Sequence, residues 1–272
     1  MKYPDDFHNR IIHGDCCEAM FLMPDDSVDL VVTSPPYADK RLETYGGITP
    51  DKYAAWLSFI SDNIMRVIKP TGSFVINVKE GANQGIRQRY LLDYLLRMIK
   101  GYRWVETYIW VKTNPYPTGS SRRLKDAFEY CYHFAKTDEF KLFPDNCLVK
   151  SESKYIESEK RRKNKGAHNV TNNSGMNMSK RYNPEYVRPS NVITLPTSCL
   201  NMKHSAAFPI ELPEFFIKLM TEKYDIVYDP FMGSGSTAIA CKRNSRTYIG
   251  TDKEAEYCQL AKDRLDKEPD IL

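Results

Sequence analysis

Val28 to Thr33 (VDLVVT) is a short, β-branched apolar run stopped by Ser34-Pro35-Pro36. Such a run suits a parallel strand buried on both faces, and two prolines cannot continue its ladder, so a loop must follow. Thr49-Pro50-Asp51 then supplies an N-cap, a proline at the first helical position and an acid in the first turn. Ala54, Leu57, Ile60, Ile64 and Ile68 recur behind it at helical spacing. Lys69-Pro70-Thr71-Gly72 reads as the stop of that helix. Ser73 to Val78 reads as a strand, Tyr90 to Ile99 as a helix, and Val105 to Val111 and Phe128 to Ala135 as two further strands. Near the C-terminus the pattern resumes: helix Leu212 to Thr221, strand Ile226 to Tyr228, helix Ser236 to Lys242, strand Thr247 to Gly250, helix Glu254 to Leu265. Strand and helix alternate, which implies an α/β sheet.

The alternation fails between about 140 and 200. Residues 150 to 190 hold ten Lys or Arg (150, 154, 160, 161, 162, 163, 165, 180, 181, 188) against four Glu (152, 157, 159, 185), a local charge of +6. The whole chain carries 39 basic and 35 acidic residues, +4, so everything else sums to −2. By itself such a run fits a solvated loop or a phosphate-binding surface equally. A length of 272 residues at 42% hydrophobic accommodates one large core with an insertion. The expected organisation is one catalytic-type α/β domain from 1–139 and 201–272, interrupted by residues 140–200. The seven cysteines contain no CxxC pair, which points to reduced thiols and no metal site. No stretch approaches the length of an apolar membrane span, and a soluble, cytoplasmic protein is expected.

Two motifs carry chemistry. Asp229-Pro230-Phe231-Met232-Gly233-Ser234-Gly235-Ser236-Thr237 joins a predicted strand to a helix; its glycines permit close backbone approach to a ligand, and a helix N-terminus follows. Taken alone, glycines in an α/β turn are also explained by packing. The next strand ends at Gly250-Thr251-Asp252, placing a carboxylate where nucleoside ribose hydroxyls would be in reach. The third glycine of a dinucleotide GxGxxG is absent, since Ala238 follows Thr237. The second motif is Thr33-Ser34-Pro35-Pro36-Tyr37, whose prolines hold a carbonyl, the Ser34 hydroxyl and the Tyr37 ring in a stiff array.

Taken together, these pieces make the chain resemble the β-type (permuted) DNA amino-methyltransferases, which use S-adenosylmethionine. The matching segments run in order: Ile12-His13-Gly14-Asp15, TSPPY at 33–37, GSFVIN at 72–77, Trp110 to Pro115, Lys203 to Pro209, DPFMGSGST at 229–237 and YIGTD at 248–252. The resemblance implies a Rossmann-like sheet with 140–200 as an inserted target-recognition region. It implies a catalytic group of Ser34, Pro35, Pro36 and Tyr37. Asp15 is implied at the adenine amine and Asp252 at the ribose. Asp229, Phe231, Gly233, Ser234, Gly235, Ser236 and Thr237 are implied around the methionine and sulfonium, with His204, Ser205 and Ala206 at the methionyl end. Double-stranded DNA is the implied substrate, held in part by Arg161, Arg162 and Lys163, and a partner restriction endonuclease accompanies some systems of this kind.

Ser at position 34 favours N4 of cytosine, where adenine-directed relatives usually present Asp or Asn. N6 of adenine is the alternative. Methylation at cytosine C5 is disfavoured, because no proline is followed by a cysteine. A catalytically silent DNA-binding module is a further alternative, opposed by the intact motifs.

Overall fold

In a computed structural model of the chain, the described residues are 1–38, 47–115, 122–151, 185–197 and 208–269. They form two compact units, one of residues 1–142 and 191–272 and one of residues 143–190. The first unit is built on eight strands: β1 (Arg10–His13), β2 (Val28–Thr33), β3 (Ile68–Val78), β6 (Arg103–Lys112), β7 (Phe128–Ala135), β10 (Val192–Leu195), β11 (Ile226–Asp229) and β12 (Thr247–Asp252). They lie in the order β1-β12-β11-β2-β3-β7-β6-β10, with β7 antiparallel to both neighbours and every other pairing parallel. A β4–β5 hairpin (Ala82–Asn83, Ile86–Arg87) follows β3.

Every residue of β2 is buried, as a strand with both faces covered requires. α1 (Cys16–Phe21), α2 (Pro50–Val67) and α3 (Tyr90–Gly101) supply Met20, Leu57, Ile64 and Tyr94 to one core with Val31, Phe74 and Phe134. α4 (Glu211–Met220) sets Phe215 and Phe216 edge-on to Tyr108 of β6. α5 (Ser236–Arg243) and α6 (Ala255–Leu265) close a second cluster around Ile11, Met232, Ile239 and Ala261. Burial at roughly 25 cal/mol per Å² of apolar surface makes such buried apolar clusters a main source of stability.

The elements read from sequence recur with small changes at their ends. The main difference is at Lys69-Pro70-Thr71-Gly72, which follows α2 but belongs to β3: the strand begins at Ile68 and slips register against β2 between Val28 and Leu30. A side chain at Gly72 would meet the Asp29 carbonyl at 2.7 Å, so the slip needs glycine there. Val192–Leu195, within the segment expected to lack regular pattern, pairs with β6 and extends the sheet. Thr49 occupies the N-cap of α2 without accepting a backbone hydrogen bond, so Pro50 is the signal that starts this helix.

In the second unit the described residues include a 3₁₀ turn at Pro144–Cys147 and a two-stranded pairing of β8 (Val149–Lys150) with β9 (Tyr186–Val187). Arg188 and Asp145 form an ion pair at 2.8 Å. The six cysteines among the described residues are free thiols, and no described helix is long and apolar enough to cross a membrane.

Candidate active site

Four strand tips stand side by side. Register pairs Val31 with Tyr228, Tyr228 with Ile249 and Ile12 with Thr251, so the segments after β2, β11, β12 and β1 leave the sheet at one edge. The reversal of strand order between β11 and β2 makes this the switch point at which open α/β sheets place their ligands. Ser34 and Gly235 therefore share an edge, as a transfer between two bound molecules demands.

Asp229, at the end of β11, ties the two motif loops together. Its Oδ1 accepts hydrogen bonds from the Thr33 hydroxyl at 2.5 Å and the Phe231 amide at 3.0 Å, and its Oδ2 accepts one from the Thr237 hydroxyl at 2.6 Å. Burial pushes its pKa up to about 6 against the lowering effect of these donors. With both oxygens turned to protein donors, Asp229 is a brace for the neighbouring residues.

The glycines of the loop do different jobs. Gly235 (φ +87°) is the N-cap of α5, and a Cβ there would lie 2.8 Å from the Ala261 Cβ, so its lack of a side chain lets α6 pack. Gly233 (φ +51°) would place a Cβ no nearer than 3.8 Å to any neighbouring atom, and one at Gly14 would meet nothing within 4 Å. Among the described residues, main chain at Gly14 faces open space and that at Gly233 has only an ordinary contact, which fits close approach by a nucleoside cofactor. The Gly233 amide donates to Asp252 Oδ2 at 2.8 Å, the Glu254 amide to Oδ1 at 2.9 Å, and Arg264 donates to the Ser234 carbonyl at 2.5 Å and hydroxyl at 2.9 Å.

Asp15 caps α1 by accepting from the Cys17 amide at 2.7 Å and pairs with Lys253 at 2.7 Å. These hydrogen bonds and the Lys253 charge outweigh burial and hold its carboxyl below the usual range.

In the TSPPY loop, Pro35 is buried and the Pro36 carbonyl accepts from the Tyr53 hydroxyl at 3.0 Å. Tyr37 is half-buried and donates to Glu129 Oε2 at 2.7 Å; the other Glu129 oxygen takes Lys112 at 2.5 Å. Burial, then Glu129, raise the Tyr37 pKa well above its ordinary value, while a hydrogen bond with Ser34 opposes the rise. Lys112, Glu129 and Tyr37 thus form one hydrogen-bonded line into the motif. Glu129 is absent from the residues the sequence motifs single out. A lone acid in the apolar strand FEYCYHFA is the available signal, because a buried carboxylate must have a partner. His204, Ser205, Ala206, Arg161, Arg162 and Lys163 lie outside the described residues.

Glu129→Gln is expected to lower turnover roughly tenfold with cofactor affinity unchanged, because it loosens Tyr37 and leaves Lys112 without its countercharge. Tyr37→Phe, which breaks the same line, should add little on top of it. Additive losses in a double-mutant cycle would show that Glu129 does not act through Tyr37.

A mainly parallel sheet with one reversed strand, carrying its ligand loops at the switch point, is the Rossmann-like sheet of the S-adenosylmethionine-dependent methyltransferases. Residues 28–263 match the DNA methylase family model for N6 and N4 enzymes, and the chain belongs to that family. It is 30% identical over 271 residues to the type II methyltransferase M.PvuII of Proteus hauseri, covering 90% of this chain and 80% of that one. M.BglII of Bacillus subtilis is 29% identical over 99% of this chain and 72% of its own length. Among solved structures, the PvuII DNA methyltransferase (cytosine-N4-specific) superposes with a TM-score of 0.71 at 26% identity, covering 93% of this chain and 85% of that one. A putative DNA modification methylase of Thermus thermophilus, complexed with S-adenosyl-L-methionine, superposes with a TM-score of 0.64 at 25% identity, covering 95% of this chain and 93% of that one.

Proposed function

We propose that this protein methylates N4 of cytosine in double-stranded DNA. It is a DNA methyltransferase of the restriction-modification type, and its cofactor is S-adenosylmethionine. The observation that carries the finer reading is Ser34 at the tip of β2, at the same sheet edge as the glycine loop and in the same turn as Tyr37, which Glu129 holds.

S-adenosylmethionine supplies an electrophilic methyl group. The amine of cytosine is a poor nucleophile, because its lone pair is delocalised into the ring. The Ser34 hydroxyl and the Pro35 carbonyl accept its two hydrogens and draw the nitrogen towards tetrahedral geometry. Ser34 need not be a strong base, since the methylated nitrogen is acidic enough to shed its proton afterwards. The Tyr37 ring, fixed at its hydroxyl, gives the extruded base a stacking face worth ~1–3 kcal/mol, which helps offset the few kcal/mol of unstacking. Asp252 holds the ribose and Asp15 the adenine amine, with the loop from Phe231 to Thr237 around the methionyl part. Residues 140–200 carry target recognition, with Arg161, Arg162 and Lys163 neutralising phosphates.

N6 of adenine is the rival target within the family. A small neutral hydroxyl at position 34 in place of an acid or amide is the feature that disfavours it. The test of the DNA reading is transfer of labelled methyl from S-adenosylmethionine to unmethylated duplex DNA by the purified protein. Incorporation that Ser34→Ala suppresses is expected; label that never enters DNA of diverse sequence would sink the reading.

A further inference from the structure

We infer that the β4–β5 hairpin and residues Arg122 to Lys125 form a second nucleic-acid surface, which grips backbone phosphates beside the target base. This rests on the DNA reading above and assigns it a contact region separate from residues 150–190.

The placement follows from the sheet. β3 runs parallel to β2, with Thr33 paired to Ile76, so Lys79 and the hairpin leave the sheet at the same edge as Ser34. β7 is antiparallel and begins at that edge, which puts Arg122 to Asp126 there too. The Tyr53 hydroxyl that holds the Pro36 carbonyl belongs to a ring 4.8 Å from the ring of Tyr90, and the Tyr90 hydroxyl donates to the Lys79 carbonyl at 3.0 Å and accepts from the Gly81 amide at 2.6 Å. The hairpin base and the catalytic turn are therefore braced by the same two tyrosines.

The hairpin turns through Gln84 and Gly85, both at positive φ (49° and 86°), in a two-residue turn of the type that matches strand twist. A Cβ on Gly85 would lie 3.0 Å from the Arg122 Cβ, so the turn and the second segment are packed together. Stretches 79–93 and 122–126 hold Lys79, Arg87, Arg89, Arg122, Arg123 and Lys125 against Glu80, Asp93 and Asp126, six minus three, +3. Subtracting this +3 and the +6 of residues 150–190 from the total of +4 leaves −5 for the rest of the chain. Positive charge outside the insertion is thus concentrated at the catalytic edge. Three of these cations, Lys79, Arg87 and Arg123, converge on Asp126 at 2.8, 2.6 and 2.7 Å, Arg87 also meets Glu80 at 3.3 Å, and Arg89 pairs with Asp93 at 3.0 Å. With six cations to three carboxylates, the group keeps an excess that a phosphate would neutralise. Ile86 and Leu124 stand 75% and 91% exposed among these cations, an apolar and cationic mixture suited to a duplex, with its sugar and base edges between phosphates.

The test is a salt titration of duplex binding by the full chain. Arg89→Gln, Arg122→Gln and Lys125→Gln combined should reduce the slope of log affinity against log salt by about 2–3, at ~0.9 per phosphate contact, with S-adenosylmethionine affinity and thermal melting preserved. Should the triple variant fail to fold, Lys125→Glu alone, at an exposed position, should still lower the slope by about 1. An unchanged slope in a folded variant, with the parent still binding and methylating DNA, overturns this surface and leaves the proposed function intact. A parent protein with no salt-dependent duplex binding overturns both. Neutralising Arg161, Arg162 and Lys163 in parallel reports the insertion separately, and the two losses should add.

Discussion

Ser34→Ala is expected to lower turnover by roughly 10²- to 10³-fold, the range found when one preorganised polar contact to a developing charge is removed, while S-adenosylmethionine binds with near-normal affinity. The asymmetry follows from geometry. Asp252, Arg264 and Asp229 brace the glycine loop through hydrogen bonds that do not run through the Ser34 side chain. In the proposed reaction Ser34 instead faces the amine that becomes charged during transfer, so its loss is expected to fall on the transition state alone. Single-turnover kinetics with an independent cofactor titration check it. Equal loss in rate and cofactor affinity would place Ser34 in the cofactor site.

The second large effect concerns Asp229. Asp229→Ala strands two buried hydroxyls and one amide that donate to it. At ~1–3 kcal/mol each, a net loss on the order of 4 kcal/mol in stability is expected, with cofactor affinity and turnover falling together. Asp229→Asn can re-pair by reversing one threonine hydroxyl, and should fold with far smaller loss.

The pH dependence distinguishes the two states of the parent protein. A carboxyl raised to about 6 from an unfolded value near 3.9 favours folding while protonated, so this stability is full below pH 4 and is lost as pH rises towards 6, by roughly 3 kcal/mol. His133 opposes it. Its ring is buried, bonded to Ser73 at 2.8 Å, and burial lowers its pKa to about 4, so its contribution is full above pH 6.5 and is lost as pH falls towards 4. The two slopes nearly cancel in the parent. Asp229→Asn should therefore uncover a fall in denaturation midpoint on acidification from about pH 6.5 to about pH 4, and an unaltered profile would show that Asp229 is not the titrating group.

Much of this architecture is legible in the sequence because its signals are local. The β-branched, mostly apolar run VDLVVT and its proline stop define β2 and the candidate catalytic turn within residues 28–37, and Thr49-Pro50-Asp51 marks the start of α2. What escapes depends on partners distant in sequence. β1 and β10 lie beside polar, irregular segments with no alternating pattern around them, and are strands because β12 and β6 offer them an edge. The Lys69-Pro70-Thr71-Gly72 slip is set by Asp29 across the sheet. Glu129 lies 92 residues from Tyr37 and Asp229 lies 196 from Thr33, so no spacing rule announces either brace. That a side chain at Gly235 would meet Ala261 is likewise a distant contact the motif does not announce.

The central claim is the identity of the modified atom, and the direct measurement is mass-spectrometric analysis of nucleosides from duplex DNA methylated by the purified protein. The expected product is N4-methylcytosine, absent from DNA treated with Ser34→Ala. N6-methyladenine as the sole product would contradict the reading of Ser34.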